Sequence, residues 1–180
     1  APCHGTGGAG AKGYPNLNDD DWLWGGSIED IHFTITHGIR QQAHDKTRMS
    51  AMPPYEGVFE PAQLNELVSH VLSLSGKAPP TAAGAQIYAD NCVVCHGPAG
   101  GGDRTQGAPA LNDAIWLYGS AREDVARQVL DPRMGMMPKW ERRLDPVTIK
   151  MLAAYVHSLG GGEDFVEVAK DPEIQVDEQP

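Results

Sequence analysis

Cys92-Val93-Val94-Cys95-His96 sets two thiols three residues apart, with an imidazole directly after the second. On a helical turn, side chains three and four apart share one face. Two thiols so placed can form thioethers with a pair of vinyl groups while the imidazole reaches an iron. The spacing therefore reads as an attachment signature for c-type haem. A disulfide or half of a zinc site are the duller readings. A thioredoxin-like pair would follow a buried strand, whereas residues 82–90 read as helix. No second ligand pair stands at zinc-like spacing. Cys3-His4-Gly5 repeats Cys95-His96-Gly97. A C-x-x-C-H ending at His4 would begin one position before Ala1, so the chain reads as a fragment or a processed product. The odd cysteine count is then what two haem motifs leave, with Cys3, Cys92 and Cys95 as the attachment thiols.

The elements that position these residues occur twice. Pro15-Asn16-Leu17-Asn18-Asp19 returns as Pro109-Ala110-Leu111-Asn112-Asp113, an offset of 94 that Trp22/Trp116, Gly25/Gly119 and Asp30/Asp124 keep. Further on the offset falls to 85, where Arg48-Met49-Ser50-Ala51-Met52-Pro53 matches Arg133-Met134-Gly135-Met136-Met137-Pro138. The first copy thus carries a longer loop before its Met-Pro. Ser27 with Asp30, and Ser120 with Glu123, are capping-box patterns that start a short helix in each copy. Pro61 and Pro146 stand where first-turn prolines stand. The apolar positions 64, 67, 68, 71 and 149, 152, 153, 156 follow the helical period, and Gly76 and Gly160 end the two long helices. No convincing alternating strand pattern is present. The chain reads as all-α: a first domain over 1–77, a second over 78–162, and an acidic, disordered tail over 163–180. Lys77-Ala78-Pro79-Pro80 reads as the linker. A domain of this size has a thin core, which a covalently held haem would fill.

His4 and His96 are the expected proximal ligands. Thioether sulfur is a soft sixth ligand that raises the potential. Each copy offers two candidates, Met49 or Met52 and Met134 or Met137, while Met136 has no counterpart. Met52 and Met137 are favoured, because the proline after each holds an extended loop. His32, His37, His44 and His157 read as surface or satisfied histidines. Arg48 and Arg133 could pair with a propionate, and Trp22 and Trp116 could donate to one. A solvated arginine and a packed tryptophan are the plain alternatives. Asp19-Asp20-Asp21 reads as a solvated turn. The glycine-rich loops at 5–13 and 97–107 lack a preceding strand and a GK[ST] sequence, which excludes a phosphate cradle.

The chain has 180 residues, with 14 Lys and Arg against 24 Asp and Glu, a formal charge of −10. That balance argues against a nucleic-acid binder. No stretch approaches the length of a membrane span, and the start lacks a signal-peptide pattern.

The segments from Gly13 to Gly26 (G-Y-P-N-L-N-D-D-D-W-L-W-G-G), from Ala108 to Gly119 (A-P-A-L-N-D-A-I-W-L-Y-G) and from Leu152 to Leu159 (L-A-A-Y-V-H-S-L) resemble the dihaem subunit III of cbb3-type cytochrome c oxidases over most of residues 1–162. The resemblance implies two tandem class I cytochrome c-like domains holding two haem c, with His4, His96, Met52 and Met137 as axial ligands. It implies a relay of electrons from a soluble cytochrome c to a haem–copper subunit that reduces oxygen. The implied partners are that subunit and a monohaem cytochrome subunit, at the periplasmic face of a bacterial inner membrane. A membrane anchor would lie upstream, so this chain should behave as soluble. A free dihaem shuttle is the runner-up. A dihaem peroxidase is disfavoured, because it needs an open sixth position.

Overall fold

The computed structural model describes residues 3–42 and 44–165. Six helices carry the fold: α1 (Ile28–His37), α2 (Pro61–Leu74), α3 (Ala82–Asn91), α4 (Val93–His96), α5 (Arg122–Leu130) and α6 (Pro146–His157). A short 3-10 turn spans Thr6–Gly8. No strand occurs among the described residues, only isolated bridges.

Local sequence accounts for most helix ends. The Ser27 side chain accepts from the Asp30 amide at the start of α1, satisfying one of the orphan donors of a first turn. Pro61 and Pro146 occupy the first turns of α2 and α6. Glu60 and Gln63 box the start of α2. Asp145 accepts from Val147 and Thr148 at the start of α6. α5 departs from the sequence expectation: its cap is Ala121, with no side-chain acceptor, so Ser120 and Glu123 form no capping box. The reason is register, because Ala121 and not Ser120 is the counterpart of Ser27 at offset 94.

The packing units are not the two sequence copies. α1 packs against α6, whereas α2 packs against α3 and α5. One core joins Leu67, Val68, Val71 and Leu72 of the first copy to Tyr88, Val125 and Val129 of the second. The other joins Ile31 and Ile35 of the first to Ile149 and Ala153 of the second. The front half of each copy is therefore completed by the back half of the other. Backbone bonds repeat the exchange symmetrically. The Tyr55 amide donates to Val129 O at 3.1 Å, and its counterpart Trp140 donates to Ile35 O at 3.1 Å. Ile39 and Met137 exchange both amide bonds at 3.0 Å.

Residues 77–80 are accordingly a turn between two packed helices, and Ala78 itself packs on the α2 core. The covering of α2 and α6 differs. Leu67 on α2 is 1% exposed beneath α3. Its counterpart Leu152 on α6 is 37% exposed, and no described helix takes α3's place over it. The acidic tail expected over 163–180 lies outside the described residues from 166 on. Glu163 pairs with Arg104, and its amide donates to Gly26 O at 3.0 Å.

Candidate haem sites

His4 and His96 are oriented alike. His96 Nδ1 lies 3.0 Å from Pro109 O, and His4 Nδ1 lies 2.9 Å from Pro15 O. A carbonyl only accepts, so Nδ1 carries the proton in both rings and Nε2 is left able to ligate. Burial of His96 pushes its pKa down, with the Pro109 carbonyl opposing in part. The neutral imidazole, the form that ligates, is thereby favoured.

The loops that supply those carbonyls turn on glycine. Gly10 and Gly102 have φ of 72° and 74°. A side chain at Gly102 would meet Ala108 O at 2.5 Å, and one at Gly10 would meet Asn16 N at 2.7 Å. Both positions combine a left-handed backbone with no room for a Cβ. The Gly10 and Gly102 amides then donate to His4 O and His96 O at 2.8 and 3.0 Å.

Cys92 and Cys95 carry free thiols, as does Cys3. Cys92 is pushed up to about 11, first by burial and then by Cys95, so it is a packed thiol rather than a reactive thiolate. Cys92, Val93, Leu111, Trp116 and Met52 all pack on the α2–α3–α5 core. Met137 packs with Trp22, Trp140 and Leu144 on the α1–α6 core. The first copy's Met-Pro loop thus lies with the second copy's C-x-x-C-H. The second copy's Met-Pro loop lies with the helix that follows Cys3-His4. Met49, Met134 and Met136 are exposed and belong to neither core.

The remaining candidates divide. The Trp116 indole N–H is buried without a partner, whereas Trp22's donates to the Gly161 carbonyl. Arg48 pairs with Asp30 at 2.7 Å, and its guanidinium lies over Trp24 and Phe33. Its Nε is buried and unpartnered. Arg133 is exposed, with its backbone held by Gln128. Asp21 departs from the solvated turn expected of it. Burial first, then Asp113 and Asp19, push it up to about 6.

These residues fit a haem c. They offer an imidazole with Nε2 open, an apolar thiol pair on one helical turn and a thioether on the same core. Buried N–H donors without a partner stand on Trp24, Arg48 and Trp116. Sequence reasoning did not find Arg40, which ties the two Met loops together. Its Nε donates to Ser50 O and its guanidinium to Gly135 O, both at 2.8 Å. The one sequence signal was position: Arg40 lies in the stretch where the repeat offset changes.

The chain is similar to known proteins. Residues 79–156 match the family model for cytochrome c oxidase, cbb3-type, subunit III, and residues 1–75 match the cytochrome c model. A cbb3-type oxidase subunit CcoP from Cereibacter sphaeroides is 52% identical over 166 residues, 89% of this chain and 57% of that protein. A subunit FixP from Bradyrhizobium sp. strain ORS 278 is 52% identical over 169 residues, 91% of this chain and 58% of the relative. The chain therefore spans a little under three fifths of these relatives. No described helix is long and apolar enough to cross a membrane.

Proposed function

Over the region it spans, the chain belongs to the cbb3-type cytochrome c oxidase subunit III family, and from that premise we propose that it relays electrons through two haem c within a respiratory terminal oxidase. The donor is a soluble cytochrome c. The acceptor is the oxidase's haem–copper subunit, with a monohaem cytochrome subunit alongside, at the periplasmic face of a bacterial inner membrane.

The residues that would hold each iron come from both copies: His96 with Met52, and His4 with Met137. One observation carries this reading. Met52, Leu111, Trp116 and Cys92 share one core, while Met137 lies in the other. A haem in each seat supplies one-electron exchange at its iron. The chain contributes the rest. The Pro15 and Pro109 carbonyls hold the imidazole tautomer, the Met-Pro loops present sulfur, and the apolar cores exclude water and raise the potential. Trp116 and Arg48 offer their free N–H groups to a propionate.

The crossed pairing is tested in a chain carrying Cys92→Ala and Cys95→Ala, which retains only the Cys3-side haem. There Met137→Ala abolishes the sulfur-to-iron charge-transfer band and Met52→Ala leaves it. The reverse result restores pairing within each copy. The oxidase role predicts that the full-length protein co-purifies with an oxygen-reducing, copper-containing subunit and that its loss slows oxidation of the donor. A full-length protein isolated alone and dispensable for oxygen consumption would point to a free shuttle.

A further inference from the structure

His37 closes α1, His44 lies in the loop that follows it, and Glu141 comes four residues after Met137. The three offer ligand atoms that all lie within 4.8 Å of one another. His37 Nδ1 and His44 Nε2 face each other at 3.0 Å. Glu141 Oε2 is 3.7 Å from His37 Nδ1, and Glu141 Oε1 is 3.6 Å from His44 Nδ1. The side chains are 15%, 9% and 28% exposed. A tetrahedral shell with metal–nitrogen and metal–oxygen bonds of about 2.0–2.2 Å sets its ligand atoms about 3.4 Å apart, and the 3.0 and 3.7 Å separations of His37 Nδ1 from His44 Nε2 and Glu141 Oε2 bracket that spacing.

One cation, the Lys139 ammonium, already stands at the cluster. Lys139 Nζ lies 3.3 Å from Glu141 Oε1 and 3.4 Å from His44 Nδ1, on a side chain that is 31% exposed. Its ammonium donates to His44 Nδ1, which leaves the proton on His44 Nε2, facing His37 Nδ1. Moving that proton to Nδ1, with Lys139 swung out to solvent, frees both facing nitrogens. Burial also holds His37 below its usual range, against the pull of Glu141. The arrangement is peculiar to this unit. The counterparts of His37 and Glu141 are Asp131 and Glu56, and His44 falls in the stretch by which the first copy's loop exceeds the second's.

We propose that His37, His44 and Glu141 bind a borderline divalent metal ion of the zinc or copper class. Two imidazoles and a carboxylate suit such an ion. The bound ion clasps the end of α1 and its loop to the segment after Met137, across the exchange between copies. Lys139 is the internal competitor that weakens it.

The test titrates zinc into the haem-loaded chain by calorimetry at about pH 7.5, together with melting curves. One zinc should bind and raise the melting temperature. Losing a ligand should cost more than the roughly 10–100-fold lost with an outer-shell partner, so His37→Ala and His44→Ala should weaken binding at least about tenfold and abolish the thermal shift. Lys139→Met should tighten binding. His44→Gln should behave as His44→Ala, and an unchanged haem spectrum shows that these variants are folded. Cu2+ in the wild type should give a resonance spectrum split by two imidazole nitrogens. If the His37 and His44 variants bind zinc as the wild type does, the metal lies elsewhere. If neither the wild type nor Lys139→Met takes up zinc, the cluster is an ion-paired hydrogen-bond network and the proposal fails.

Discussion

Asp21 shares its environment with Asp113 and Asp19, and Arg104 offsets their repulsion only in part. Its pKa is raised from 3.8 to about 6 in the folded chain. A folded value above the unfolded one means that the native state holds the proton more tightly between those two limits. Stability from this group is therefore lost as pH rises from about 4 to about 6 and stays lost above that. Asp21→Asn should raise the melting temperature at pH 7. Against pH, it should remove the fall that the wild type shows across the 4–6 window. Paired wild-type and variant melts over that range decide it; curves of identical slope would show that Asp21 titrates as a solvated carboxylate. Asp103, Asp124 and Asp145 are shifted down instead, by the hydrogen bonds of Thr105, Lys12 and Thr148 respectively. Their contributions present the opposite slope, so the comparison must be between variant and wild type.

The two equivalent helices α1 and α5 begin differently, and that difference can be measured. Ser27 bonds the Asp30 amide, whereas α5 starts from Ala121 without a side-chain cap. Ser27→Ala should destabilise the protein by about 1 kcal/mol in denaturant unfolding, while Ser120→Ala should change nothing measurable. Equal effects at both positions would mean that the α1 cap is not formed in solution. Packing outweighs capping at the core positions. Leu67 is 1% exposed between α2 and its partners, so Leu67→Ala should cost about 2–5 kcal/mol. Leu152→Ala, at the 37% exposed counterpart on α6, should cost clearly less in the same assay.

Exchange of halves makes the molecule one interleaved body rather than two beads on a string. A protease site inserted within residues 77–80 should, once cut, leave two fragments that still co-elute in size exclusion. Each core needs residues from both sides of the cut. Fragments that separate into two independently coloured species would overturn the exchanged packing. The net charge of −10 belongs to the same scale. In the proposed relay, this acidity would speed encounter with a basic or dipolar donor cytochrome. The association rate should therefore fall steeply between about 10 and 150 mM salt, as the Debye length shrinks from roughly 30 to 8 Å. A rate indifferent to salt would leave the acidity with no part in docking.

Residue order alone determined what depends on near neighbours: the C-x-x-C-H turn, the cap at Ser27, the prolines opening α2 and α6, and the helical period behind the all-α fold. Duplication and the Met52 and Met137 candidates were equally legible, because a repeat shows itself by offset. Which half packs with which was not legible. The apolar patterns of α2 and α6 are copies of each other, so either helix satisfies either front half equally well on pattern. The tertiary structure decided it, and the connection after α2 supplies the reason. Only residues 75–81 separate α2 from α3, and so short a link favours an antiparallel helix pair. Once α2 lies on α3 it belongs to the His96 unit, which leaves α6 and Met137 to complete the other. The divergence of Trp22 from Trp116, the burial of Asp21 and the meeting of His37, His44 and Glu141 follow from the same folding-together. Each depends on residues about a hundred positions apart, a distance over which sequence spacing carries no geometry.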